Sequence, residues 1–325
     1  MNKKIIVVIG PGRSGTSLIM QFLASCNIST TTRQIESNNS NPKGFWEDRE
    51  IVNLEREFLE KKKPAHLPIP VEDFEREDAL CLKSRIKEIL LKSLDNSAGL
   101  FAIKDPKITL LFPIWKKIFY ECGLEPVYIF ACRNPGAFID SNIKILEDKV
   151  AQEVLEWAWY YRTVSSFYFT DSELFVVHYE DWFVDPQKQA ALLLDYIGVD
   201  CQLGELDIFN TVDKSLNRST TNNIVLINSC VRKSYSFISR LKGSNFVSHE
   251  VQKEMGGWWN DIWDHINWLY PEFRWRNRRI NELEKSIELL RMELIKTKEP
   301  VPGEKKAGFF WKGRRIYQKV KKIFI

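Results

Sequence analysis

The sequence predicts an α/β fold in which short buried strands alternate with helices, followed by a C-terminal helix with coiled-coil spacing. Three observations predict it. The chain opens on a β-branched run, Ile5-Ile6-Val7-Val8-Ile9, which breaks into Gly10-Pro11-Gly12-Arg13-Ser14-Gly15 and resumes at helical spacing. Apolar runs of strand length recur at 100–103, 126–132 and 174–179. Between them lie longer stretches whose apolar residues stand three and four apart.

The first run reads as a buried strand, and Thr16 to Cys26 as a helix carrying Leu18, Phe22, Leu23 and Cys26. Strand, glycine loop and helix N-terminus together cradle phosphate, because backbone N–H groups converge on the anion and the helix dipole favours its charge. Gly10 to Gly15 fits the spacing of the nucleotide-triphosphatase loop, but Thr16 stands where that pattern has its lysine. The cation here is Arg13, inside the loop.

Ser29 to Asn41 is polar and reads as a loop near this site. Asn41-Pro42-Lys43-Gly44-Phe45-Trp46-Glu47-Asp48 follows, then a helix with Ile51, Leu54 and Phe58. Glu47 reads either as a proton acceptor or as a helix-opening carboxylate, with Asp48 as the alternative base. Residues 59–79 are rich in Pro and charge and read as an exposed excursion. They include His66, a solvated loop histidine or a base. A helix over Leu80 to Leu94 buries Ile86, Ile89, Leu90 and Leu94.

The strand Leu100 to Ile103 ends in Lys104-Asp105-Pro106-Lys107, ahead of a helix from Thr109 to Tyr120. Lys104 therefore sits at a carboxyl strand end, where open α/β sheets gather their functional groups. The strand Pro126 to Cys132 leads straight into Arg133-Asn134-Pro135 and a helix from Gly136 to Glu147. Ser141 lies eight residues after Arg133. A planar guanidinium grips phosphate bidentately, and a hydroxyl two turns along the helix approaches it from another side. Val150 to Phe169 reads as a helix whose aromatic residues are core. After the strand Leu174 to Tyr179, the acids Glu180 and Asp181 read as loop pins, and a helix runs to Ile197. Residues 200–255 are weakly periodic, and the Trp-rich stretch 256–275 suits core packing or an acceptor cleft.

The net charge of +4 hides an asymmetry. Residues 301–325 hold eight Lys/Arg against Glu304, which leaves the preceding 300 residues at −3. An acidic body argues against nucleic-acid binding. The basic tail, 305–325, interleaves Phe309, Phe310, Trp311, Tyr317, Ile323, Phe324 and Ile325 with its cations, a composition that suits an anionic membrane surface or a nonspecific tail. Ile280, Leu283, Ile287, Leu290 and Leu294 repeat 3-4-3-4, the seam of a short coiled-coil dimer over 280–294. The expected division is 1–275 for the main domain, 276–299 for the helix and 300–325 for the tail. No apolar run reaches the ~18 residues of a spanning helix. Six cysteines without C-x-x-C or metal-ligand spacing point to a reducing compartment.

On these residues the chain resembles the sulfotransferases that use 3′-phosphoadenylyl sulfate. In that family Lys or Arg precedes Ser-Gly-Thr-[ST], as Arg13 precedes Ser14-Gly15-Thr16-Ser17 here. An "NPKG-aromatic" segment, a Lys-x-Pro strand end and Arg-[ND]-Pro…Ser recur there too, as does the string Tyr179-Glu180-Asp181. The resemblance covers residues 4–200 and implies a P-loop-like, three-layer α/β fold with a parallel central sheet flanked by helices. It implies that Ser14, Gly15, Thr16 and Ser17 hold the donor's 5′-phosphate and that Arg133 and Ser141 hold its 3′-phosphate. Arg13 and Lys104 would stabilise the sulfuryl group, Glu47 would accept the acceptor's proton, and Arg218 would close over the nucleotide. The chemistry needs no metal. The implied acceptor is a hydroxyl on a glycan or lipid-linked molecule, and the implied location is the cytoplasm, at the inner face of the membrane. Two other readings stand beside it: a P-loop phosphotransferase, and a non-catalytic nucleotide-binding scaffold. Thr16 in the lysine position, and the lack of a clear metal-holding Asp after a later strand, count against the first.

Overall fold

The computed structural model describes residues 3–38, 41–62, 68–97, 99–146, 150–170, 173–201, 212, 224–241, 253–255, 257–260, 262, 282, 285–289 and 292. The chain divides into two compact units, Met1–Asp261 and Ile262–Ile325. In the first, β1 (Lys3–Ile9) leads through the glycine loop into α1 (Thr16–Ser25). Then come α2 (Arg49–Lys62), α3 (Glu77–Asp95), β2 (Phe101–Lys104) and α4 (Phe112–Glu121). Next are β3 (Leu124–Cys132), α5 (Pro135–Leu146), α6 (Gln152–Phe169) and β4 (Leu174–His178). The helices α7 (Pro186–Ile197) and α8 (Ser229–Ile238) follow.

The four strands form one parallel sheet in the order β2-β1-β3-β4. Chain order runs outward from β1 to β2 on one side and from β3 to β4 on the other, so the switch point falls between β1 and β3. Ligands of open α/β sheets bind in the crevice at such a point. The register sets what meets there: Val8 pairs with Lys104 and Ile9 with Phe130. The glycine loop therefore emerges between the end of β2 and the end of β3.

Both faces of the sheet are covered, as all-parallel strands require. On one face Ile6, Val8, Ile129, Ala131, Phe175 and Val177 pack with the apolar sides of α1 and α7. Trp182 closes this layer, its ring 5.2 Å from Phe22 of α1. Truncating a buried Trp of this kind costs about 3–5 kcal/mol. On the other face Tyr128 meets Phe112 of α4 and Phe130 meets Phe167 of α6. The result is the expected three-layer α/β fold.

Three local expectations are corrected. The stretch 59–79 is not an exposed excursion where described: α2 continues to Lys62, and Ile69 and Phe74 are buried around a 3₁₀ helix at Val71–Glu75. Burial of those two side chains outweighs the hydrophilic composition around them. The helix expected from Thr109 is two pieces, a 3₁₀ helix Pro106–Thr109 and α4. Asp105 caps the first piece by accepting from the Lys107 backbone N–H at 2.8 Å, and Pro106 at its first position starts it early. Weak periodicity over 200–255 concealed α8, which the Asn228 side chain caps. Trp258 and Trp259 are core residues, with Trp259 stacked on Tyr168 at 5.0 Å.

Candidate functional site

The loop after β1 is conformationally constrained. Gly10 has φ +138°, and a Cβ there would lie 2.5 Å from the Ala131 carbonyl oxygen of β3. Gly15 has φ +91°, and a Cβ there would lie 2.4 Å from the Tyr179 ring. Only glycine fits both the dihedral and the close approach. Between them Arg13 adopts φ +70°, a conformation that a non-glycine residue holds only when its surroundings enforce it. The loop delivers Ser14 into a buried position where its hydroxyl has no hydrogen-bond partner among the described residues. The first turn of α1 lacks both a side-chain cap and an acidic residue, so its dipole and N–H donors are left for an anion.

Arg133, at the end of β3, turns back onto this loop. One of its terminal nitrogens donates to the Arg13 carbonyl at 2.9 Å, and its guanidinium lies 4.5 Å from the centre of the Tyr179 ring. Arg13 in turn donates from Nε to the Ser141 hydroxyl at 3.1 Å. Two guanidiniums and the hydroxyl thus converge beside Ser14. Burial lowers the Arg133 pKa, against the pull of Tyr179, Glu180 and Asp140. Asn134 caps α5 by accepting from Gly136 N–H at 2.8 Å, and its own N–H is held by Glu180 at 3.0 Å. Glu180 is therefore a loop pin.

A second cluster forms at the end of β2. Lys104 is buried and donates to Glu47 Oε1 at 2.5 Å and to the Phe45 carbonyl at 3.0 Å, with the Ser17 hydroxyl at 3.4 Å. Asn41 Nδ2 donates to the same hydroxyl at 3.2 Å. The Asn41–Asp48 segment bends to make this possible: Gly44 has φ +87° and Trp46 φ +62°. Those two left-handed residues flank Phe45 and bring its carbonyl to Lys104. Burial raises the Glu47 pKa; the Lys104 charge opposes this, Asp105 adds to it and Lys107 opposes it again.

Asp48 behaves differently from its neighbour. One of its oxygens accepts from the Glu50 and Ile51 N–H groups at 3.0 and 3.2 Å, which makes it the cap of α2. The other accepts from the Thr31 hydroxyl at 2.6 Å and from Arg33 at 2.9 Å. Of the two adjacent carboxylates, Asp48 holds the helix start and Glu47 faces the lysine.

The structure therefore gathers Ser14, Arg13, Arg133 and Ser141 at one end of the crevice, and Ser17, Lys104 and Glu47 at the other. Gly15 and Thr16 join the two. Arg218, His66 and the tail 305–325 lie outside the described residues, as do Ile280, Leu283, Leu290 and Leu294 of the heptad seam; Ile287 is described, on a helical stretch. Sequence reasoning missed Tyr179 as the platform for Arg133, although it lies in the quoted Tyr-Glu-Asp string. It also missed Asn41, whose signal was its place at the head of the Asn-Pro-Lys-Gly segment.

A glycine loop, a guanidinium pair and a buried Lys–Glu pair thus stand together at the ends of parallel strands. The chain belongs to the sulfotransferase family, whose model matches residues 6–202. It is an enzyme of that family, and membership implies 3′-phosphoadenylyl sulfate as donor. No curated protein matches the chain in sequence. Among solved structures, the sulfotransferase domain from the curacin biosynthetic pathway is 16% identical with a TM-score of 0.47, covering 73% of this chain and 98% of that one. The sulfotransferase domain of the Synechococcus PCC 7002 olefin synthase is 17% identical with a TM-score of 0.48, covering 73% and 95%. A sulfotransferase from Mycobacterium avium is 13% identical with a TM-score of 0.37, covering 81% and 78%.

Proposed function

We propose that this enzyme transfers the sulfuryl group of 3′-phosphoadenylyl sulfate to a hydroxyl on a glycan or lipid-linked saccharide. The observation that carries the reading is the Lys104–Glu47 pair at 2.5 Å, placed beside Ser17 at the start of α1. Ser14 to Ser17 hold the donor's 5′-phosphate, and the buried Ser14 hydroxyl, without a partner among the described residues, fits that role. Arg133 and Ser141 hold the 3′-phosphate. Arg13, bonded to Ser141, stands with them, which leaves Lys104 as the cation for the transfer step.

In that step the acceptor oxygen attacks sulfur in line, and the bond from sulfur to the 5′-phosphate oxygen breaks. Glu47 takes the acceptor's proton, and Lys104 stabilises charge growing on the leaving oxygen. The products are a sulfate ester and 3′,5′-adenosine bisphosphate. A carboxyl raised by burial suits a general base that must hold a proton while the new ester departs.

Thermal shift with 3′,5′-adenosine bisphosphate, compared with ATP plus magnesium, tests the donor site. Ligand at about 100 times its dissociation constant adds roughly 2.7 kcal/mol of stability. The expected result is stabilisation by the bisphosphate alone, lost in Arg133→Ala. Stabilisation by ATP and magnesium would instead promote a phosphotransferase.

The acceptor class and cytoplasmic membrane location belong to the same proposal. They are supported by the basic, aromatic tail at 305–325 and the heptad seam at 280–294, which would anchor and pair the enzyme. No described helix is long and apolar enough to cross a membrane. Co-sedimentation with phosphatidylserine vesicles, abolished by removing 305–325, is the expected outcome. Sedimentation equilibrium as a dimer, shifted to monomer by Leu283→Lys with Leu290→Lys, tests the seam.

A further inference from the structure

Behind the Lys104–Glu47 pair lies a second charged cluster that the transfer step does not use. Glu55, nearly two turns into α2, is fully buried. Its Oε1 accepts from Trp115 Nε1 of α4 at 2.8 Å, and its Oε2 has no hydrogen-bond donor among the described residues. Facing it is Asp105, also buried and next in sequence to Lys104, with the two side chains in hydrogen-bonding reach of each other. Asp105 is well supplied with donors. It accepts from Lys107 N–H at 2.8 Å, and Lys107 Nζ reaches both of its oxygens at 3.1 Å.

Two ionised carboxylates cannot share such a contact away from water, so one keeps its proton. Asp105 has an ammonium and a backbone N–H to stabilise its charge; Glu55 has one indole N–H. The proton therefore resides on Glu55, and the oxygen that lacked a donor becomes one. We propose that Glu55 is a positioning residue of the transfer site: as a neutral carboxylic acid it donates to Asp105, and through Asp105 it fixes Lys107 and the end of β2 so that Lys104 faces Glu47.

The electrostatics agree with this geometry. Burial pushes the Glu55 carboxyl well above the usual range, and Asp105 adds to the shift against the Lys107 charge. Burial alone would raise Asp105 too, but Lys107 and the Glu55 hydrogen bond outweigh it and hold Asp105 low. Lys107 in turn feels Asp105, Glu55 and Glu47, and so connects the brace to the base. Arg162 of α6 donates to the Pro106 carbonyl at 3.0 Å and completes the support from the far side.

The inference rests on the proposed transfer reaction for its consequence, but not for its test. Glu55→Gln replaces the acid proton with an amide N–H and keeps an oxygen for Trp115, so it should rescue the brace. Glu55→Leu removes the donor. In the folded wild type an infrared carbonyl band of a buried protonated acid is expected, and it should vanish in Glu55→Gln. The stability contributed by this proton is whole below the ordinary glutamate range and declines as pH rises through the raised folded pKa, so Glu55→Gln should flatten the fall in stability over that interval.

For the brace itself, kcat should drop on the order of ten- to a hundred-fold in Glu55→Leu, recover in Glu55→Gln, and leave the bisphosphate thermal shift unchanged. Independently of activity, acylation of Lys104 by an amine-reactive ester, followed by mass spectrometry, should be several-fold faster in Glu55→Leu and unaltered in Glu55→Gln. If no sulfuryl transfer is found, the proposed function fails and the acylation rate still decides the brace. Absence of the infrared band, or wild-type Lys104 protection in Glu55→Leu, would overturn the inference. Should Glu55→Leu not fold, the wild-type band and the acylation rate in Glu55→Gln decide: a band absent from the wild type, or faster acylation of Lys104 in Glu55→Gln, sinks the idea.

Discussion

The two ends of the crevice hold their charges differently. At one end Lys104 and Glu47 neutralise each other at 2.5 Å, in a buried pair that is satisfied without ligand. At the other, Arg133 and Arg13 meet a carbonyl, a hydroxyl and an aromatic face, with the acids Glu180 and Asp140 acting on Arg133. On the proposed function, a phosphate of the donor binds at the guanidinium end. A sulfuryl group and acceptor arriving at the lysine end must share or break an existing ion pair. On the proposed function, grip belongs to one end and chemistry to the other, and each substitution below tests that division.

The largest effect is expected at the base. Glu47→Gln should lower kcat by about 10²–10⁴-fold while the bisphosphate still binds. Burial raises the Glu47 pKa against the Lys104 charge, so the free base form accumulates only above the usual glutamate range. The wild-type kcat should therefore climb with pH through a limb placed higher than an ordinary carboxylate's, and Glu47→Gln should show no such limb. A pH–rate profile unchanged in the variant would remove Glu47 from the mechanism.

Next is Lys104→Ala, with an expected loss in kcat of about 10²–10³-fold, typical of removing one charge-stabilising donor. If the division holds, donor affinity should change far less than kcat, the reverse of the pattern for Arg133→Ala. Equal losses of nucleotide binding in both variants would merge the two ends into one binding site.

How much of this was visible beforehand depends on whether the signal was local. Arg13, Lys104 and Arg133 each stand directly after or within a strand-end turn, so their places followed from strand periodicity alone. Pairing of Lys104 with Glu47 was less visible, because 57 residues separate them and the contact needs two left-handed residues, Gly44 and Trp46. Nothing in the local pattern reports that Trp46 adopts φ +62°. The Glu55–Asp105 contact was hidden for another reason. Glu55 lies in a charge-rich helix, and only the packing of α2 against α4, with Trp115 between, reveals that this carboxylate faces inward. Tyr179 could have been found, since it ends a strand beside Glu180, but an aromatic in a buried strand reads first as core.

The smallest expected effect separates the adjacent acids. Asp48→Asn keeps an oxygen for the Glu50 and Ile51 N–H groups, so the α2 cap survives. Its amide cannot accept from Arg33, whose ion pair with Asp48 spans 2.9 Å between a part-exposed guanidinium and a buried carboxylate. A hydrogen bond to a charged partner is worth about 1.5–3 kcal/mol, and the Thr31 hydroxyl can reverse to accept from the new amide and recover part of it. A loss of about 1–2 kcal/mol in a denaturant melt is therefore expected. Because the cap persists, Glu47 stays in place one residue before α2, and kcat at a temperature where the variant is folded should remain within a few-fold of wild type. A fall comparable to that of Glu47→Gln, with the melt unchanged, would transfer the base to Asp48 and leave Glu47 as the partner that holds Lys104.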